Sequence, residues 1–131
     1  MKKKKNLSLS ALKKKAWKLV SEYVRRKDAD EGGFVSCYTC GFPMHWKYEA
    51  QAGHAIPGRH NAVLLDIEIL RPQCYACNCA RKGMHHIFTT KLIEEHGMDW
   101  WKKKLDGARQ IVKYTRDDLE KLIELFKARL T

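Results

Sequence analysis

Two Cys-x-x-Cys pairs carry the clearest chemical signal in this chain. The first pair is Cys37 and Cys40, and the second is Cys74 and Cys77. Two residues between thiolates is the spacing of a zinc knuckle, and two knuckles supply the four ligands of a closed tetrahedral site. We therefore predict a structural Zn²⁺ ion held by these four residues. Cys79 is the odd thiol, either outside the site or an alternative ligand.

A histidine and an asparagine lie where such a site would fix their positions. His54 falls between the two cysteine pairs, and Asn78 directly follows Cys77, the last of the four predicted ligands. A neutral imidazole can take a proton from the water that attacks a phosphodiester, while a divalent ion stabilises the developing charge. Because hard cations prefer oxygen ligands, Asn78 is a candidate ligand, with His54 and His60 completing a tentative shell. The alternatives are a core histidine bonded to a carbonyl and an asparagine that caps a helix.

Positive charge is concentrated near the N-terminus. The formal net charge is +11, and residues 1–27 contain eleven Lys/Arg and one acidic residue, Glu22. Basic side chains that neutralise phosphates release counterions, so this distribution favours a nucleic-acid partner over a merely solvated tail. The predicted nucleic-acid contacts are Lys13, Lys14, Lys15, Lys18, Arg25, Arg26, Lys27, Arg59, Arg81 and Lys82.

Length and composition indicate one soluble domain. The chain has 131 residues, of which 44% are hydrophobic, and no run approaches the roughly 18 apolar residues of a membrane span. The N-terminus lacks the apolar stretch of a signal peptide. Four cysteines in metal spacing fit a reducing compartment better than a disulfide framework, so we expect a cytoplasmic protein without a membrane partner.

Apolar spacing predicts the elements that must position these residues. Residues 8–30 are predicted to contain a basic amphipathic helix, preceded by a disordered tail over residues 1–7, where like charges repel. In the middle of the chain, residues 48–56 and 62–65 are predicted strands. Residues 89–130 are predicted to be helical.

Capping signals mark the ends of the C-terminal helices. Thr89 or Thr90 is predicted to cap the first of them, and Gly97 is predicted to end it. Thr115 and Asp118 have the spacing of a capping box at the start of the last helix, although the box prefers Glu or Gln at its final position.

The same residues resemble one known family. The matching stretches lie in order from about residue 8 to residue 125: Leu12-Lys13-Lys14-Lys15-Ala16-Trp17, Arg25-Arg26-Lys27-Asp28-Ala29-Asp30, Cys37-Tyr38-Thr39-Cys40-Gly41, Gln51-Ala52-Gly53-His54, Gln73-Cys74-Tyr75-Ala76-Cys77-Asn78, Lys91-Leu92-Ile93-Glu94 and Lys113-Tyr114-Thr115-Arg116-Asp117-Asp118-Leu119. On these stretches the chain resembles the phage lambda NinG recombination-nuclease family, a branch of the HNH (ββα-metal, or His-Me finger) endonucleases.

The resemblance implies an α+β fold in a single domain of residues 1–131. A zinc-stapled ββα-metal core would occupy residues 34–88, flanked by the N-terminal basic helix and the C-terminal helices. His54 falls at the position of the HNH general base and Asn78 at that of the final metal ligand, with Mg²⁺ or Mn²⁺ as the catalytic ion. The implied function is a metal-dependent DNA endonuclease of phage recombination, acting in the cytoplasm of the bacterial host on branched DNA such as Holliday junctions, with a homodimer as one possible assembly.

Two positions depart from the HNH pattern. Gly53 stands where many members have an aspartate ligand, and Ile69 falls near the position of the middle asparagine. The metal shell would then need Glu49, Gln51, His60 or water. These departures keep open a non-catalytic zinc-finger nucleic-acid-binding protein on the same scaffold, and an RNA-binding accessory factor is a third hypothesis.

Overall fold

The computed structural model describes residues 6–131, and its first element is helix α1 (Leu9–Arg26). Ser8 caps this helix, because its Oγ accepts a hydrogen bond from the Ala11 backbone amide at 3.1 Å. The predicted disordered tail covers residues 1–7, of which residues 1–5 lie outside the described residues. One face of α1 is apolar and buried, which is the amphipathic pattern expected from the sequence.

Four short strands follow and form two antiparallel hairpins. Strands β1 (Phe34–Ser36) and β2 (Pro43–His45) enclose the first cysteine pair in their connecting turn. Strands β3 (Gln51–His54) and β4 (Leu70–Gln73) form the second hairpin, in which Gln51 lies opposite Gln73. The strand predicted over residues 48–56 is therefore shorter than expected.

Residues 62–65 do not form the predicted strand. Helix α2 (Asn61–Leu64) occupies most of this segment, and a 3₁₀ turn (Ile67–Ile69) leads into β4. A short apolar run does not by itself distinguish a strand from a buried turn of helix. Val63 and Leu64 are buried as a helical turn between β3 and β4, and the strand that pairs with β3 begins only at Leu70.

The C-terminal part is helical, as predicted. A five-residue π-helix (Ala76–Ala80) follows β4, and helix α3 (His85–His96) and helix α4 (Met98–Ala108) come next. Helix α3 begins before Thr89, so the predicted caps at Thr89 and Thr90 are wrong. It ends at Gly97, whose φ of 92° favours glycine, as expected.

Helix α5 (Arg116–Leu130) begins with the predicted capping box. The Thr115 Oγ accepts from the Asp118 amide, and the Asp118 carboxylate accepts from the Thr115 amide at 2.9 Å. This helix packs along α1, so the first and last helices of the described chain lie side by side.

Three groups of buried residues hold the elements together. The largest joins α1, α5 and the β3–β4 region: Leu12, Ala16, Val20, Val24, Leu64, Leu65, Leu70, Leu119, Ile123 and Phe126. A second lies between the β3–β4 loop and helices α3 and α4: Ala55, Ile56, Val63, Ile69, Phe88, Leu92 and Trp101. A third, smaller group surrounds the cysteines: Val35, Cys37, Met44, Ala50 and Cys77.

The predicted α+β class is confirmed by this mixture of helices and two small sheets. Over residues 51–80 two paired strands and then a helical element follow one another, as in a ββα unit, but helix α2 and a 3₁₀ turn lie between the strands and the final helical element is only five residues long. The ββα-metal core therefore remains a proposal. Among the described residues, no helix is long and apolar enough to cross a bilayer.

Candidate metal centre and nucleic-acid interface

The four predicted zinc ligands converge on one point. The Sγ atoms of Cys37, Cys40, Cys74 and Cys77 all lie within 4.8 Å of one another, and those of Cys40 and Cys74 are 3.7 Å apart. Tetrahedral zinc with Zn–S bonds of about 2.3 Å separates its sulfurs by about 3.8 Å, so the group has the dimensions to hold Zn²⁺. Within residues 6–131, no second cluster of three or more His, Cys, Asp or Glu side chains has this arrangement.

Local turns bring the thiols together. Cys37 follows β1, and the Gly41 amide donates to the Cys37 carbonyl at 2.8 Å, closing a tight turn through the first pair. Gly41 has a φ of 79°, a left-handed conformation in which glycine is favoured, so its place in the sequence has a conformational reason. The second pair is positioned by β4, because this strand ends at Gln73 and Cys74 follows directly.

The crowding of these four thiols favours a bound cation. Burial opposes ionisation of Cys37, but hydrogen bonds from Thr39 and from backbone amides lower its pKa to about 6. The Phe42 amide favours ionisation of Cys40, but burial and the three neighbouring cysteines together raise its pKa to about 12. Four thiolates this close would repel one another, and a doubly charged ion offsets that repulsion. The donor set therefore fits Zn²⁺ in chemistry as well as in size.

Cys79 lies outside this quartet. Its side chain is exposed and its Sγ donates to Gln51 Oε1 at 3.2 Å. It is therefore the free thiol rather than a fifth member of the metal centre.

His54 is held at the end of β3 by a carbonyl and an aromatic ring. Its Nε2 lies 3.1 Å from the Leu64 carbonyl oxygen, and its ring stacks on Trp17 of α1 at a centroid distance of 5.2 Å. The Arg59 guanidinium lies over the same indole, 4.8 Å from its centroid. Burial lowers the pKa of His54 from its usual 6.5, the bond to Leu64 partly offsets this, and the charge on Arg59 lowers the pKa further.

Asn78 lies in the π-helix and contacts the other end of β3. Its Nδ2 donates a hydrogen bond to Gln51 Oε1 at 2.7 Å. Its Oδ1 accepts no hydrogen bond from the described residues. Successive side chains of a strand point to opposite faces, so Gln51 and His54, three residues apart, lie on different faces of β3. No hydrogen bond joins His54 to Asn78, and each has its own partner.

Position 53 is closed to a side chain. A Cβ placed on Gly53 would overlap the side-chain oxygen of Gln73 on β4. Gln73 is buried and donates through Nε2 to Thr39 Oγ1 at 3.1 Å and to the Gly83 carbonyl at 2.9 Å. An aspartate ligand at position 53 would displace this glutamine. The presence of glycine here, where the HNH pattern has aspartate, therefore has a steric reason.

The remaining candidates for a metal shell are dispersed. His60 Nε2 bonds to the Ala108 carbonyl oxygen at 2.8 Å, and Glu49 accepts from the His45 amide at 2.9 Å. Among Glu49, Gln51 and His60, Gln51 is the one that bonds to Asn78. The described residues therefore do not assemble a ready-made site for Mg²⁺ or Mn²⁺.

The predicted nucleic-acid contacts lie mainly on exposed surface. The exposed members are Lys14, Lys15, Lys18, Arg26, Lys27, Arg59, Arg81 and Lys82, while Lys13 and Arg25 are half-buried. Arg25 donates to the Trp46 carbonyl oxygen at 2.9 Å, so part of its role is to attach α1 to the β1–β2 hairpin.

Sequence reasoning missed the groups that orient the candidate residues. Leu64 holds His54 through a backbone carbonyl, which no side-chain type signals. Gln73 closes position 53 from the neighbouring strand, and the β3–β4 register that brings them together was not predicted. A better placement of β4 would have indicated Gln73.

Among known proteins, a family model matches this chain. No curated protein and no solved structure matches the chain significantly. The family model described as Bacteriophage Lambda NinG protein matches residues 1–131, the whole chain. The chain therefore belongs to the bacteriophage lambda NinG protein family.

Proposed function

We propose that this chain is a DNA endonuclease in which His54 is the general base. The observation that carries the proposal is the bond from His54 Nε2 to the Leu64 carbonyl. A carbonyl oxygen only accepts, so the imidazole proton lies on Nε2 and the lone pair on Nδ1. Among the described residues Nδ1 has no hydrogen-bond partner, and it is therefore available to take a proton from water.

The lowered pKa of His54 supports this role. A base must be unprotonated to act, and a pKa below the usual 6.5 keeps the ring neutral at pH 7. We expect the rate to be independent of this group near neutrality and to fall on the acid side, with an apparent pKa below 6.5. A pH–rate profile measures this, and an acid limb at or above pH 6.5 would contradict the assignment.

Positive charge near His54 supports a phosphodiester substrate. Arg59 lies over the Trp17 ring on which His54 stacks, and Lys14 and Lys18 are exposed on the same helix as Trp17. An arginine beside the base can bind a phosphate oxygen and stabilise charge in the transition state. Branched DNA of phage recombination, such as a Holliday junction, is the proposed substrate because of the NinG resemblance.

A requirement for Mg²⁺ or Mn²⁺ is a separate proposal. Asn78 Oδ1 is a candidate ligand atom with no hydrogen-bond partner among the described residues, and Gln51 is its neighbour. Such ions often keep several waters and bind substrate phosphates, so few protein ligands are needed. The role of His54 does not depend on which residues complete that shell.

The test compares variants on one substrate. Wild-type protein with Mg²⁺ or Mn²⁺ should nick or resolve a four-way DNA junction. His54→Ala should lower the cleavage rate by about 10²–10⁴-fold while junction binding stays within about two-fold, because a general base acts on the chemical step. His86→Ala is the matched control, since His86 is an exposed histidine at the start of α3, and it should cleave normally.

A non-catalytic DNA-binding protein is the second candidate, favoured by the filled space at Gly53. If Gln73 permanently excludes a ligand there, the scaffold can keep zinc and basic residues without catalysis. Tight junction binding with no cleavage in either ion would favour this candidate and overturn the first. Equal activity of His54→Ala and wild type would also overturn the role of His54.

A further inference from the structure

The start of β1 and the turn after β2 each leave an aromatic ring in solvent. Phe34 is 47% exposed and Tyr48 is 77% exposed. The His45 ring lies between them, with centroids 5.5 Å from Phe34 and 4.9 Å from Tyr48. Large rings in a chain of this size are normally covered, so an exposed group of them indicates a contact surface.

This aromatic group is held in place from below. Gly33 has a φ of 86°, and a Cβ there would overlap the His45 ring, which therefore lies directly on the backbone. The His45 amide donates to Glu49, and the Lys47 amide donates to His45 Nδ1 at 3.2 Å. The His45 ring, which both exposed rings contact, is thus fixed before any ligand arrives, and this lowers the entropic cost of binding.

Cations surround the rings. Arg26 Cζ lies 5.3 Å from the Trp46 ring centroid, and Lys47 Nζ lies 5.7 Å from that of Tyr48. Glu22 bonds to Arg26 at 3.4 Å and offsets part of its charge, but Lys47 has no carboxylate partner among the described residues. We call Arg26, Phe34, Trp46, Lys47 and Tyr48, with His45 between them, the aromatic–cationic surface.

A cavity extends this surface towards the metal centre. It has a volume of about 610 Å³, and its lining includes Phe42, Tyr48, Tyr75 and Arg81. Phe42 is 53% exposed and Tyr75 is 65% exposed. Gln51, the partner of Asn78, also lines it, so the cavity connects the aromatic–cationic surface with the candidate ion ligand Asn78.

We propose that the aromatic–cationic surface binds unpaired nucleotides of a DNA strand. Bases would stack on Tyr48 and Phe34, and Lys47 and Arg26 would contact the flanking phosphates. Stacking on exposed rings beside cations is how proteins hold single strands, whereas a duplex hides its base faces. That the strand is DNA rests on the proposed function, because the rings themselves stack equally well on RNA bases.

The surface gives the enzyme a way to select branched or gapped DNA. Unstacked nucleotides occur at branch points and gaps, and binding them beside the cavity would place the adjoining backbone near Gln51 and its partner Asn78, the proposed ligand of the Mg²⁺ or Mn²⁺ ion. The preference for such substrates would then come from this surface rather than from base-reading contacts.

The experiment measures binding by fluorescence anisotropy without Mg²⁺ or Mn²⁺, so it does not depend on cleavage. Wild type should bind a labelled oligothymidylate more tightly than a blunt duplex of equal length. Tyr48→Ala should weaken single-strand binding by about 5- to 100-fold, and Tyr48→Phe should restore it, because stacking needs the ring and not the hydroxyl. Ile111→Ala, at a residue 90% exposed between α4 and α5, is the control and should bind normally.

A second variant guards against an effect of Tyr48 on folding. Phe34→Leu should weaken single-strand binding in the same direction. Unchanged zinc content and circular dichroism in both variants would assign the loss to the surface.

The outcomes separate this inference from the proposed function. Equal single-strand affinity of Tyr48→Ala and wild type overturns the inference, and so does binding to an oligouridylate RNA with none to DNA. Tyr48-dependent single-strand binding in a protein that never cleaves supports the inference and overturns the proposed function alone. Cleavage without any role for Tyr48 supports the proposed function and overturns the inference alone.

Discussion

The α1–α5 pair and the region around the cysteines are held together by different means. Ten buried residues join α1 and α5 to the β3–β4 region, whereas the group around the cysteines has five, of which two belong to the candidate zinc site. Strands of three or four residues bury little apolar surface, so cross-linking through a bound metal ion would supply what this small core does not. With zinc bound, a single small domain would combine a hydrophobic half with a metal-dependent half.

The two regions also differ in local encoding. Helices α1 and α5 have side-chain caps at Ser8 and Thr115 and continuous apolar faces, so each carries its own start signal and its own packing surface. Strands β1 to β4 have no comparable local signal, because their positions depend on pairing with distant residues and on the four thiols.

Metal removal should have the largest effect on stability, and it should disorder the region around the cysteines rather than the α1–α5 pair. Structural zinc contributes about 10–16 kcal/mol in small peptides, so a chelator or Cys77→Ser should disorder residues 34–84. Hydrogen exchange of the backbone amides measures this, with α5 exchanging less than the cysteine region. Uniform loss of protection would show that the two halves form one cooperative unit, and no loss would contradict the zinc assignment.

A substitution that leaves a cavity in the helical half should have the next largest effect on stability. Ile123 is 3% exposed, and Ile123→Ala should cost about 2–5 kcal/mol of unfolding free energy in urea titration, while Ile123→Val should cost about 0.5–1.5 kcal/mol. Zinc stoichiometry should stay at one ion per folded chain in both. Loss of zinc from Ile123→Ala under native conditions would show that the helical core also positions the thiols.

The capping box at α5 should contribute less. Thr115→Ala removes the oxygen that accepts from the Asp118 amide and should cost about 0.5–2 kcal/mol, measured by the same titration. Thr115→Ser keeps that oxygen and is the matched control. An equal loss in both variants would point to the threonine methyl group rather than the hydrogen bond.

Surface charge on α1 should change binding without changing stability. Replacing Lys14 and Lys15 with glutamine should reduce the slope of log affinity for DNA against log salt by at most about 1.8, since each phosphate contact contributes about 0.9. The matched control replaces Lys102 and Lys103, two exposed lysines of α4. Equal changes in the two pairs would indicate diffuse attraction rather than contacts made by α1.

How far the sequence predicted the structure follows the same division. The start of α1 near residue 8, the stop at Gly97 and the capping box at Thr115 were predicted, since each depends on residues within one turn of helix. The strand expected over residues 62–65 was wrong, because a short apolar run packs equally well as a helical turn. The α3 start was also wrong: the chain turns through Lys82 and Met84, both with positive φ, which apolar spacing does not reveal.

The candidate site was predicted in its residue types but not in its geometry. The cysteine quartet followed from spacing, because a metal ion imposes the same distances on any chain that binds it. The separation of His54 from Asn78, whose partner Gln51 lies on the other face of β3, was not predicted, because it depends on strand alternation and on the β3–β4 register.

The sequence alone determined the family, the metal-binding pattern and the basic N-terminal helix, since these depend on residue type and short spacing. The tertiary structure decided which carbonyl orients His54, which side chain fills the space beside Gly53 and which aromatic rings stay in solvent. These features arise between residues far apart in the chain, and their free energies depend on distances and burial that exist only after folding.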